Sequence, residues 1–110
     1  MVRFVDEPYV TKKVRPKLSS VKWKMACGMG MTGLYFITLA DSEKELFDIY
    51  PAPVFKQKRF RKSDRVIIGI AESTDSARGL IETMVNECLV SCGDPYGIRK
   101  YYENFIRDHL

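Results

Sequence analysis

The sequence predicts an α+β domain, an antiparallel sheet of about four strands followed by two C-terminal helices packed on one face. Three observations carry this. Short runs rich in β-branched and aromatic residues, punctuated by glycines, prolines and charged turns, fill the first two thirds of the chain. Two later segments, Ala77–Cys92 and Ile98–Leu110, instead place their apolar residues at helical spacing. The length of 110 residues, with 45% apolar and 12% aromatic content, suits one buried core. It also excludes disorder as the main state and catalytic folds as large as a TIM barrel, which needs roughly 250 residues.

Residues 1–20 read as a basic N-terminal arm, and residues 21–110 as the α+β domain proper. Within the arm Val2, Phe4 and Val5 fit a short strand. Lys12, Lys13, Arg15 and Lys17 around Pro16 make an extended basic stretch. Val21, Trp23, Met25, Cys27 and Met29 fall at every second position, with Lys22 and Lys24 between them. That period of two predicts a strand with one buried and one wet, basic face. Glycines 28, 30 and 33 permit a tight or bulged turn into a second strand, Leu34–Leu39. A third strand is expected over 45–50, ended by Pro51 and Pro53, with a short helix as the rival. Residues 54–64 read as a loop with room for a strand. Val66–Ala71 is a clear strand, and the last strand can also join the sheet beside the first.

Ser73 or Thr74 then caps a helix whose apolar set is Ala77, Leu80, Ile81, Met84, Val85, Cys88, Leu89 and Cys92. Gly93 ends it. Asp94 and Pro95 are suited to open a last helix, with Ile98, Tyr101, Tyr102, Phe105, Ile106 and Leu110 as its stripe.

Charge is uneven. Residues 1–65 carry a net charge of +7 and residues 66–110 a net of −3. Either a solvated surface or an anionic partner for the first part accounts for this. The three cysteines, Cys27, Cys88 and Cys92, have no disulfide-like spacing. The longest apolar stretch, Leu34–Ala40, falls far short of the ~20 residues of a membrane span, and the first twenty residues hold no signal-peptide core. A cytoplasmic protein without a membrane partner is therefore expected.

Most motifs that resemble chemistry lack the context it needs. Gly28-Met29-Gly30-Met31-Thr32-Gly33 has the letters of a dinucleotide loop, but it leads into a strand where a helix N-terminus is required. Met25, Cys27, Met29 and Met31 read as core filler rather than a soft-metal row. Cys88 and Cys92 sit near a helix end, where the dipole disfavours a thiolate. His109 is the sole histidine, at a chain end that frays easily. Asp41, Glu43, Glu45 and Asp48 read as a wet turn. No catalytic residue, metal or cofactor is expected.

The strongest candidate is the loop holding Lys56, Lys58, Arg59, Phe60, Arg61 and Lys62, in which an aromatic ring sits among five cations. Phosphates attract cations and unstacked bases attract aromatic platforms. Lys22 and Lys24, with Trp23, would extend the patch. The same loop also fits a solvated hairpin with Phe60 folded inward. The expected role is a non-catalytic binding or accessory protein contacting nucleic acid or another polyanion. The alternative is a homodimer or protein-interaction module using the aromatic C-terminal helix (Tyr96, Tyr101, Tyr102, Phe105), without a nucleic-acid role.

Overall fold

A computed structural model describes residues 2–26, 33–40, 46–57, 65–93 and 97–110, the side chains of Ala26, Lys56 and Cys92 excepted. The chain runs β1 (Arg3–Val10), a 3-10 turn (Arg15–Lys17), α1 (Leu18–Ala26), β2 (Tyr35–Leu39), β3 (Phe47–Pro51), a second 3-10 turn (Ala52–Lys56), β4 (Val66–Ala71), α2 (Thr74–Cys92) and α3 (Ile98–His109). The α+β class holds, with a four-stranded sheet ahead of two C-terminal helices. The radius of gyration, 13.5 Å, matches the roughly 13 Å of a compact domain of this size.

The sheet order is β1-β4-β2-β3. β2 pairs antiparallel with β3 and with β4, while β1 pairs parallel with β4. The sheet is thus mixed rather than antiparallel throughout. Its parallel strand comes from the segment expected to be an arm: Val5, Pro8 and Val10 are buried, and that burial holds β1 at the sheet edge. The β1–β4 register slips between Phe4 and Tyr9. Asp6 and Glu7 are exposed in this bulge, and Pro8 has no N–H to offer. All three features discourage another strand from pairing there.

The predicted first strand over Val21–Met29 is corrected. Residues 18–26 form a helix, and residues 27–30 lie outside the described set. Residues four apart share a face in both geometries, so Val21 and Met25 fit either period. Trp23 decides between them. A strand would turn it inward beside Val21, whereas the helix turns it about 200° away, and it is 61% exposed. Leu18, Val21 and Met25 form the inward stripe. Pro16 in the preceding 3-10 turn starts the helical path.

β4 is buried on both faces, and the sheet has two cores. Ile68 and Ala71 join Ala77, Met84 and Cys88 of α2 and Ile98 and Tyr102 of α3. Ile67 and Ile70 join Val14, Val21, Ala52 and Phe55, beneath α1 and the two 3-10 turns. Cys88 is thus a core residue as expected. Facing alternation breaks at Gly69, where a Cβ would lie 3.0 Å from Cδ1 and 3.2 Å from Cβ of Ile37, its cross-strand partner.

Tyr102 is the centre of the helical core, fully buried. Its ring meets Phe47 at 5.4 Å, Phe105 at 5.9 Å and Tyr9 at 6.2 Å, all edge-on. Its hydroxyl donates to the Met84 carbonyl at 2.6 Å, and burial pushes its pKa up. Ser73 caps α2 by accepting from the Ser76 N–H at 3.0 Å, and Gly93 ends it at φ 67°. Both were expected from sequence. The proposed start of the last helix, Asp94 and Pro95, lies outside the described residues.

Two stability predictions follow from this packing. Gly69→Ala should lower stability by about 1–3 kcal/mol in urea unfolding, because fully buried Ile37 has no room to yield. Tyr102→Phe should cost about 1 kcal/mol through loss of one buried hydrogen bond. An unchanged urea midpoint in either variant would contradict the packing described.

Candidate nucleic-acid interface

Between Glu7 and Asp41 the sequence holds six cations and no carboxylate: Lys12, Lys13, Arg15, Lys17, Lys22 and Lys24. The structure places all six in the segment that leaves β1, passes through the first 3-10 turn and becomes α1. Lys12, Lys13, Arg15 and Lys17 are exposed, and Lys22 and Lys24 are half-buried. This segment covers one face of the sheet. The other face is covered by α2 and α3, and α2 carries Asp75, Glu82 and Glu87 against a single cation, Arg78. With α3 included the helical layer holds five carboxylates and four cations, so the fold places a basic layer on one face of the sheet and a nearly neutral one on the other.

Two contacts fix the basic segment. At its start, Thr11 is held by two hydrogen bonds that it donates. Its N–H donates to the Ile70 carbonyl at 3.3 Å, and its hydroxyl donates to the Glu72 carboxylate. Ser76 donates to the other Glu72 oxygen at 2.8 Å. Glu72 thus ties the end of β4, the first turn of α2 and the basic segment together. These two hydroxyls hold its carboxyl below the ordinary value. Further along, the Lys22 ammonium donates to the Asp6 carbonyl at 3.3 Å, joining α1 to the bulge of β1.

Of the predicted site, Lys58, Arg59, Phe60, Arg61 and Lys62 lie outside the described residues, as does the Lys56 side chain. The two ends of their loop are described, and both rest on Tyr50. Phe55 is buried and meets the Tyr50 ring edge-on at 5.8 Å. From the far end, Arg65 lies over the same ring at 4.9 Å and donates to its hydroxyl at 2.9 Å. The Tyr50 hydroxyl in turn donates to Asp48 at 3.1 Å. Phe55 and Val21 belong to one buried cluster. The described residues at both ends, Phe55 and Arg65, thus rest on Tyr50, which packs against the cluster beneath α1. Lys22 and Lys24 belong to the layer that contains α1 as residues of a helix, not as the outward face of a strand, because Val21 and Met25 turn inward at helical spacing.

The remaining sequence candidates fall elsewhere. Gly28 to Thr32, Cys27 and Asp41 to Glu45 are outside the described residues, while Met25 packs against the core beneath α1. His109 stacks on Phe105 with ring centroids 4.4 Å apart. Tyr101 and Phe105 pack against the helical core around Tyr102, so these rings of the last helix serve the fold. Among the described residues no group of three or more His, Cys, Asp or Glu is arranged to hold a metal ion, and no helix is long and apolar enough to cross a membrane.

A cleft of about 550 Å³ lies on the β1 edge between the bulge, Arg15 and α2. In it the Tyr9 hydroxyl donates to Glu87 at 2.9 Å. Burial pushes the Tyr9 pKa up to about 12, so the phenol stays protonated and the contact is a fixed hydrogen bond. Sequence reading missed the Thr11–Glu72–Ser76 clamp, which joins residues 61 apart. The carboxylate-free run after Glu7 was the available signal for the basic layer.

Comparison with protein-family models, curated proteins and solved structures finds no match in any of the three.

The clamp makes a pH prediction. A carboxyl held below its ordinary value of 4.5 contributes stability above that pH and loses it as pH falls through the lower folded value. The melting-temperature gap between wild type and Glu72→Gln should be largest near neutrality and shrink below about pH 4.5. A gap independent of pH would show that Glu72 is not held this way.

Proposed function

We propose that this protein is a non-catalytic binding module for nucleic acid, engaged through the layer formed by residues 11–26 and the adjoining loop Lys56–Lys62. The observation that carries this reading is one stretch of chain on one sheet face, residues 11–26, that holds six cations, no carboxylate of its own and one large exposed aromatic side chain, Trp23, and is bordered by Asp6 and Glu7 at the β1 edge. Clustered cations displace the counterions condensed on a polyphosphate, and an exposed ring accepts a base. Loop residues Lys58, Arg59, Phe60, Arg61 and Lys62 repeat the same combination of cations and an aromatic ring in the sequence.

Fluorescence-anisotropy titration with labelled oligonucleotides at several salt concentrations tests this. Log affinity should fall linearly with log salt, by about 0.7 per phosphate neutralised on a single strand and about 0.9 on a duplex. Replacing Arg59, Arg61 and Lys62 together by alanine should weaken binding and flatten the slope, as should replacing Lys12, Lys13 and Lys17. Binding by both triple variants equal to wild type, or no binding at low salt, would overturn the reading.

A further inference from the structure

We infer that the nucleic acid this face takes is single-stranded, with one unpaired base stacked on the Trp23 indole; the inference rests on the nucleic-acid reading above. Trp23 projects from a helix whose opposite side is anchored by Leu18, Val21 and Met25, so the ring stands on a fixed support. Its exposure of 61% leaves a large apolar surface in water without any role in the core. Lys22 and Lys24 lie about 100° to either side of it around the helix. A base on the indole would draw its phosphate cations from Lys24 and from Lys12, Lys13, Arg15 and Lys17 of the preceding turn, since the Lys22 ammonium is turned to the Asp6 carbonyl.

A duplex fits this arrangement poorly. Its bases are already stacked, and opening a step to admit a ring costs a few kcal/mol. Reading a groove needs side chains with several donors or acceptors, and an indole has one donor. A lipid surface fits poorly as well. An interfacial helix must bury a whole apolar face among headgroups, and the apolar face of α1 is already committed to the protein core.

Trp23 is the sole tryptophan of the chain, so its emission reports on this position alone. The experiment titrates the full chain with oligothymidylate, with the same strand annealed to its complement, with inorganic polyphosphate, and with phosphatidylserine-containing vesicles. Emission follows wild type, and anisotropy of labelled oligonucleotide follows the variants. Tighter binding of the single strand than the duplex is expected, with quenching of Trp23. Trp23→Ala should lower single-strand affinity about 5- to 150-fold, leave polyphosphate affinity nearly unchanged, and be partly rescued by Trp23→Phe. A urea midpoint like that of wild type shows the variant is folded, as expected for an exposed side chain. Equal or tighter duplex binding, or an equal effect of Trp23→Ala on polyphosphate, overturns the single-strand inference and leaves the nucleic-acid reading intact. Binding to vesicles but to neither oligonucleotide overturns both.

Discussion

The burial of β4 on both faces is the constraint from which the rest of the molecule follows. Val66–Ala71 has no solvated side, with Ile67 and Ile70 entering one core and Ile68 and Ala71 the other. A strand of this kind needs neighbours on both edges and a layer above and below. The edges are supplied by β1 in parallel and β2 in antiparallel pairing. Two long helices supply one layer. The other is assembled from what the chain has left, a nine-residue helix and two 3-10 turns. Gly69 is where this strand changes its facing pattern, and the lack of a side chain there admits Ile37.

That improvised second layer is also where the charge lies. Its inward positions are Val14, Leu18, Val21, Met25, Ala52 and Phe55, which pack on Ile67 and Ile70 of the sheet. Its outer positions are occupied by lysines, Arg15 and Trp23. The Glu72 clamp gives this surface a fixed place relative to the sheet: the carboxylate at the end of β4 receives hydroxyls from both the basic segment and α2. Tyr50 does the same for the ends of the basic loop, holding Phe55 and Arg65 on one ring.

Legibility of the sequence varied with the length of each pattern. The eight apolar positions of α2 extend over several turns, where a helical period and a period of two cannot be confused, and Ser73 and Gly93 mark its ends. Over Val21–Met25 the two periods coincide at both ends, so the pattern of α1 also fits a strand. The exposure of Trp23 is the feature that separates them. The basic character of the first part of the chain was legible as composition. Its assignment to one face of the sheet was not, because Lys22 and Lys24 were placed on the wrong kind of element and no local pattern announces the other layer.

By itself the sequence determined the α+β class, β2, β4, the boundaries of α2 and the apolar stripe of α3 apart from exposed Leu110, and it left β3 open against a short helix. All of these rest on neighbouring residues, whose periodicity, caps and turn chemistry act within a few positions. Tertiary structure alone decided the parallel docking of β1 against β4, the helical state of residues 18–26, and the meeting of Thr11 with Glu72. Each of these joins residues far apart in the chain, and each is settled by burial against partners that local propensity cannot see. The gathering of the basic segment on one face belongs with them, since it exists only once the sheet has divided the chain into two sides.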